Sequence, residues 1–408
     1  MRLHWIDALK GIGIILVVFA HHSLPVAIDT YIFSFHMPLF FFISGFLFDF
    51  GKYAGSTAGF VKGRFRSLIV PYFSFAVFTC LFYFFLDLKF QPGVINIEFF
   101  ETSALYGIYS IVYALGPLIS YNPPLWFLSC LFVTELLFYG FAKKSYGEPR
   151  KLVLWLTAAG VIGHLYSIYV PFRLLWNADV ALSAVVFYGA GNLFRKFTEP
   201  KKESGSGSDL NSGSSLSSSM NLGSRLSSGS SLSLSSSMNL GLRFREGFFR
   251  VEKFLPGVFI LLNLLYLGYL LKFPTTDMVN MNVLKYGGFF SYYLLAFSGI
   301  FAFVYLFKKV GSSKILEYYG RNSLIVLALH FPLKDVLIKL AVLGGVDYEL
   351  YHYNAVFALS LTVLNLICVI PLIFLINSYF PFLIGKKGSF AKFEGFKSRF
   401  KKLVNQWN

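Results

Sequence analysis

Two adjacent imidazoles, His21 and His22, close the first apolar run, WIDALKGIGIILVVFAHHS, and a third, His36, falls inside the second, YIFSFHMPLFFFISGFLF. Ionisable groups in an apolar span are costly to keep there, so they are functional candidates by default. An imidazole, with an ordinary pKa of about 6.5, exchanges its proton at neutral pH. Asp7 precedes His21 by fourteen residues, about 21 Å along a helix rising ~1.5 Å per residue. It cannot orient that ring, and any partner must come from another span. With spans alternating in direction, His21, His22 and His36 fall at similar depth. His164 lies near the same end of a later span, and His330 lies closer to mid-membrane. Glu135 is the carboxylate nearest the middle of any span and needs a partner or a proton. His21, His36 and Glu135 are therefore the catalytic candidates. The competing reading of the histidines is neutral, hydrogen-bonded groups that join helices. Asp7 and Lys10, three apart, read as an ion pair at the membrane edge.

A second set is basic. VKGRFRSLIVPY places Lys62, Arg64 and Arg66 just ahead of the third apolar run, and Arg321 with Asn322 opens a late one. Arginine forks match phosphate oxygens, so Arg64, Arg66 and Arg321 are candidates for holding a phosphorylated ligand. The alternative is a charge stop that fixes orientation. Cys80, Cys130 and Cys368 all sit in apolar runs without disulfide or metal spacing, and no metal site is expected.

The elements that must position these groups follow from composition. Of 408 residues 56% are hydrophobic, 19% aromatic and 14% charged, with a mean hydropathy of +0.62. A soluble domain carries about 25% charged residues, so a soluble enzyme, a disordered chain and a disulfide scaffold are excluded. The expectation is an all-α polytopic membrane protein with about ten spans, near 8–24, 31–49, 68–88, 125–142, 152–169, 179–195, 254–272, 285–307, 322–341 and 354–378. Residues 99–124 are apolar but carry Gly107, Gly116, Pro117, Pro123 and Pro124, and read as an interfacial or re-entrant segment. Ten spans with both termini cytoplasmic put most of the 36 Lys and Arg residues on the inner side, as the positive-inside rule asks; an eleventh span would put every later basic loop outside. The net charge of +16 is thus a topology signal first, and nucleic acid is not an expected partner. No cleavable signal peptide is expected, because the first apolar run continues without an A-x-A-like site.

Residues 203–242 hold 18 Ser, with SSSMNLG at 217–223 and again at 235–241; this composition reads as a flexible linker. The chain therefore divides into spans one to six at 1–198, the linker at 199–250, spans seven to ten at 251–380 and a basic tail at 381–408. Spaced Phe390, Phe393, Phe396 and Phe400 in that tail suit an amphipathic helix on an anionic membrane surface.

Five stretches in order, WIDALKGIGIILVVFAH, FHMPLFFFISGFLF, RFRSLIVPY, PPLWFLSCLF and YGRNSLIVLALH, resemble the bacterial integral-membrane acyltransferase 3 family, in particular its fucose 4-O-acetylase-like branch. The family's first-span histidine, fourteen residues after its Asp, falls on His21. Its R-x-x-R pattern is only half kept: if Arg64 is the first member, Ser67 stands in the second place, with Arg66 adjacent. The resemblance implies transfer of an acyl group, acetyl in the first instance, from cytoplasmic acyl-CoA to a hydroxyl of a cell-surface glycan or its precursor, in the bacterial inner membrane. It implies acetyl-CoA as co-substrate, a carbohydrate or glycolipid acceptor and surrounding membrane lipid. CoA phosphates would dock near Arg64 and Arg66, with the pantetheine arm threading inward to His21. His21 would act as general base or acyl carrier, with His36 or Glu135 orienting it. A transporter or flippase for a glycan precursor is the competing class, since intramembrane His and Glu also suit a proton-coupled carrier.

Overall fold

A computed structural model describes residues 3–53, 55–89, 104–114, 122–198, 255–274, 279–311, 313–346 and 354–386. All regular structure among them is helical, and the single extended pairing is the isolated bridge Asn280–Lys285. The helices are α1 (His4–Ala20), α2 (Val26–Phe33), α3 (His36–Leu47), α4 (Thr57–Arg64), α5 (Val70–Lys89), α6 (Ala104–Tyr113), α7 (Trp126–Lys144), α8 (Pro149–Tyr169) and α9 (Ala178–Thr198). Beyond residue 254 come α10 (Leu255–Lys272), α11 (Phe289–Val310), α12 (Lys314–Arg321), α13 (Ser323–Leu343) and α14 (Ala355–Tyr379). The Ser-rich stretch 203–242 and the tail beyond Lys386 lie outside the described residues.

Seven helical stretches among the described residues are long and apolar enough to cross a bilayer: Val26–Leu47, Thr57–Phe85, Pro123–Lys144, Pro149–Tyr169, Leu255–Lys272, Phe289–Val310 and Ala355–Tyr379. Three more of the apolar runs form α1, α9 and α13. α1 has 17 residues; α9 carries Asp179, Arg195 and Lys196, and α13 carries Lys334, Asp335 and Lys339. These three helices pack against the others, and most of α9 is buried. The large apolar side chains left outside lie on helices such as α8 (Leu154, Ile162), α10 (Leu264, Leu265) and α14 (Val356, Phe374). The outward faces of these helices are thus apolar, as a hydrocarbon surround requires.

Two crossings are close enough to need glycine. α1 lies along α12, with Gly11 on the Leu316 carbonyl and Gly320 on the Asp7 carbonyl. α3 lies along α9, with Gly45 on the Tyr188 carbonyl and Gly191 on the Phe42 carbonyl. A Cβ at any of the four would overlap a backbone oxygen. Such small-residue contacts let helices associate by packing where lipid offers no hydrophobic gain.

The helices depart from the apolar runs at two places. The second span starts at Val26 and breaks between α2 and α3: the Ser34 hydroxyl donates to the Tyr31 carbonyl at 2.7 Å, and Phe35 leaves helical geometry at φ −139°. The third is helical from Thr57, well before its apolar run, because the polar stretch through Arg64 forms α4 and joins α5 through a π turn at Phe65–Ile69. Wide turns of that kind recur at functional positions. In the 99–124 stretch, α6 has ten residues, about 15 Å at ~1.5 Å per residue, too short to cross.

Candidate active site

His21 follows the last turn of α1, and its Nδ1 lies 2.7 Å from the Val17 carbonyl. His36 opens α3, with Nδ1 2.7 Å from the Ile32 carbonyl. His330 sits inside α13, with Nδ1 2.9 Å from the Val326 carbonyl. Each contact reaches back four residues, and a carbonyl can only accept. The proton therefore sits on Nδ1, and Nε2 keeps its lone pair, the form in which a neutral imidazole acts as a base.

His21 and His36 line one cavity of about 230 Å³. Phe33 and Trp126 supply aromatic wall, and Phe331 supplies more from α13. Asn280, Met281 and Asn282, from the turn between α10 and α11, close another side. The His21 ring meets His330 edge-on at 5.0 Å between centroids, and Phe331 at 5.8 Å. His330, deeper in the bundle, is thus in ring contact with His21 from another span, a neighbour other than the expected His36 or Glu135. Its Nε2 is buried without a hydrogen-bond partner among the described residues.

His22 is buried, and neither ring nitrogen has a hydrogen-bond partner among the described residues. Lys334 lies on α13, four residues beyond His330. It sits 3.9 Å over the Phe331 ring and 3.2 Å from the Asp335 carboxylate. Asp335 in turn accepts from the Tyr83 hydroxyl at 2.5 Å. His164 packs edge-on against Phe289 at 5.3 Å and does not line the cavity.

Glu135 belongs to a different group. It lies nine residues beyond Trp126 on α7, about 14 Å along the helix. Its Oε2 is 3.3 Å from Arg64 Nε, and its Oε1 accepts from the Tyr188 hydroxyl at 3.3 Å. Arg64 also donates to the Tyr53 hydroxyl at 2.8 Å and lies over the Tyr53 and Phe60 rings. A carboxylate at mid-bundle has found its counterion, and that counterion is the first arginine of the basic motif.

The other two arginines stand apart from Arg64. Arg66 is exposed and donates through Nε to the Gly385 carbonyl at 2.9 Å. Arg321 ends α12 and pairs with Glu317 at 3.0 Å; the same carboxylate oxygen lies 3.1 Å from His4 Nδ1. Arg321, Lys314 and Asn322 line an open cavity of about 700 Å³ at the opposite end of α1 from His21. The three candidates for phosphate are therefore on separate attachments. Among the described residues no group of three or more His, Cys, Asp or Glu is arranged to hold a metal ion.

Sequence reasoning did not find the Asn280–Asn282 turn. Its residues are polar and unremarkable in type, and only the return of the chain over the cavity makes them part of it. Trp126 sits in a stretch used for the family resemblance but was not assigned to the site.

A family model described as an acyltransferase domain, Acyl_transf_3, matches residues 3–379. No curated protein and no solved structure matches the chain.

Proposed function

Because the chain belongs to the acyltransferase 3 family, we propose that it moves an acyl group, acetyl in the first instance, from acyl-CoA to a hydroxyl of a cell-envelope glycan or its precursor. The observation that carries this reading is the paired presentation of His21 and His36 on one small cavity, each with Nδ1 tied to its own helix. His21 Nε2 takes the proton of the acceptor hydroxyl. The oxygen attacks the thioester carbonyl, a C–O bond forms, and the C–S bond breaks. The departing thiolate of CoA takes the proton back from His21, so the imidazole ends neutral. A positioned base of this kind contributes about 10²–10⁴-fold.

The negative oxygen of the tetrahedral intermediate needs a donor. Asn280 brings an amide to the same wall, its oxygen already accepting from the Asn282 backbone N–H at 3.1 Å. The donor enters from the His4 end, taken as cytoplasmic, where Arg66 and Arg321 are exposed. Its uncharged arm reaches toward His21 between the helices. The acceptor meets the cavity from the other end, in a bacterial cell membrane crossed ten times.

Purified protein in nanodiscs, given acetyl-CoA labelled in its acetyl group and a glycan acceptor, should move label to the acceptor and release free thiol in equal amount. Label that stays on CoA while the glycan crosses a vesicle membrane would make the protein a carrier instead.

A further inference from the structure

The turn that closes the His21 cavity is fixed by one arginine. Arg173, in the connection between α8 and α9, donates through Nη1 to the Asn282 carbonyl at 2.8 Å. Its Nε donates to Asp179 Oδ2 at 2.6 Å and its Nη2 to Asn177 Oδ1 at 3.2 Å. Asp179 is fully buried and also accepts from the backbone N–H groups of Leu174 and Val180. Asn177 continues outward, donating to the Ala114 carbonyl at 2.6 Å and lying 3.3 Å from the Ser129 hydroxyl of α7.

Trp176 and Asn177 both hold positive φ, at 57° and 55°. Consecutive non-glycine residues rarely accept that geometry, and strain of this kind persists where surrounding contacts over-determine it. The hub therefore joins the α6 end, α7, the start of α9 and the Asn280–Asn282 turn. Part of it is strained, and its outermost bond ends on the cavity wall.

That wall has the chemistry of a sugar site. Aromatic faces from Phe33, Trp126 and Phe331 suit the C–H faces of a pyranose ring, and amide side chains suit its hydroxyls. Asn282 lines the cavity, and its Oδ1 is buried without a hydrogen-bond partner among the described residues. An acceptor left unpaired in a buried place is costly, and a ligand hydroxyl would satisfy it.

Building on the acyltransfer reading, we propose that the Asn280–Asn282 turn, held by Arg173 and Asp179, is the acceptor-selecting wall of the cavity, with Asn282 accepting a hydrogen bond from a sugar hydroxyl next to the one that reacts. Asn282 is then a specificity-determining residue, and Arg173 is a positioning residue that acts through it. Lysine cannot replace Arg173, because a single ammonium cannot hold Asp179, Asn177 and the Asn282 carbonyl in one plane.

The test separates binding from turnover. Wild type, Asn282→Leu and Arg173→Lys are titrated with methyl glycosides of glucose, galactose, mannose, fucose and rhamnose by intrinsic tryptophan fluorescence, without donor. Hydrogen exchange of residues 279–285 is followed in parallel. Wild type should prefer one or two glycosides. Asn282→Leu should weaken the preferred one by about 10- to 100-fold, the loss expected for one buried hydrogen bond, and flatten the ranking. Arg173→Lys should do the same while raising exchange in 279–285 and leaving α1 and α13 unchanged. The KM for acetyl-CoA should not move in either variant. An unaltered ranking in Asn282→Leu, or a wild type that binds none of the glycosides, overturns the proposal. A wild type that binds selectively but never accepts acetyl fails the acyltransfer reading and leaves the selecting wall standing.

Discussion

At the scale of single residues, the site divides the buried ionisable groups into two kinds. His21 and His36 face a cavity, each with Nδ1 tied to a carbonyl four residues earlier. Removing the His21 imidazole should therefore abolish transfer, by about 10²–10⁴-fold in kcat, while His21→Ala elutes as the folded protein; full activity in that variant would exclude the ring from the chemistry. Glu135 is of the second kind. Its side chain is 5% exposed and paired with an Arg64 that is 25% exposed. Removing one member of a buried pair strands the other charge and costs about 3–5 kcal/mol. Glu135→Ala should thus show as a fall in melting temperature and in recovered folded protein, with kcat per folded molecule little changed. A normal melting temperature with lost kcat would instead return Glu135 to the catalytic set. Residue types alone marked both groups as exceptional, since either violates the rules for an apolar span. They could not separate them. The Arg64–Glu135 and His21–His330 contacts join residues far apart in sequence, and such pairings are decided by how helices cross.

At the scale of elements, the placement of His21 and His36 depends on the two glycine crossings. α1 ends at His21 and is fixed along α12 by Gly11 and Gly320; α3 begins at His36 and is fixed along α9 by Gly45 and Gly191. Gly45→Ala puts a methyl group into the Tyr188 carbonyl, backbone that cannot turn aside. Overpacking typically costs about 1–3 kcal/mol, and here the strain also moves the helix that carries His36. Gly45→Ala should lower the melting temperature and kcat together. Gly140→Ala on α7, where a Cβ meets nothing within 4 Å, should leave both unchanged. Equal behaviour of the two variants would mean that the α3–α9 crossing does not set the site. Apolar run lengths located the long helices well, because length and hydropathy are what a bilayer selects. They missed the break at Ser34–Phe35 and the extension of the third span back to Thr57. The first depends on a side chain turning onto its own backbone and the second on a polar stretch that stays helical. Neither changes mean hydropathy.

At the scale of the whole molecule, orientation is the property on which donor access depends. α1 spans 17 residues, His4–Ala20, about 25 Å at ~1.5 Å per residue, so on the acyl-CoA reading phosphates held at the His4 end would lie far from His21. Such a donor, made in the cytoplasm, would require the His4 end to face inward. The basic residues agree: Lys52, Lys62, Arg66, Lys143, Lys144, Lys308 and Lys309 all sit at or near that end, whereas the connections at the His21 end hold few. Helix α8 tests this directly, because its 21 residues are long enough to separate its two connections by a bilayer. With Cys80, Cys130 and Cys368 replaced by alanine, a cysteine is placed at Tyr146, 87% exposed before α8, or at Phe172, 62% exposed after it. In intact spheroplasts a membrane-impermeant maleimide should label Phe172→Cys, and should reach Tyr146→Cys only after the membrane is opened. The reverse pattern would place the His21 cavity on the donor's own side and remove the need for an arm that reaches through the bundle. Labelling of both before opening would mean that α8 does not cross, and the ten-span arrangement would fail at that helix.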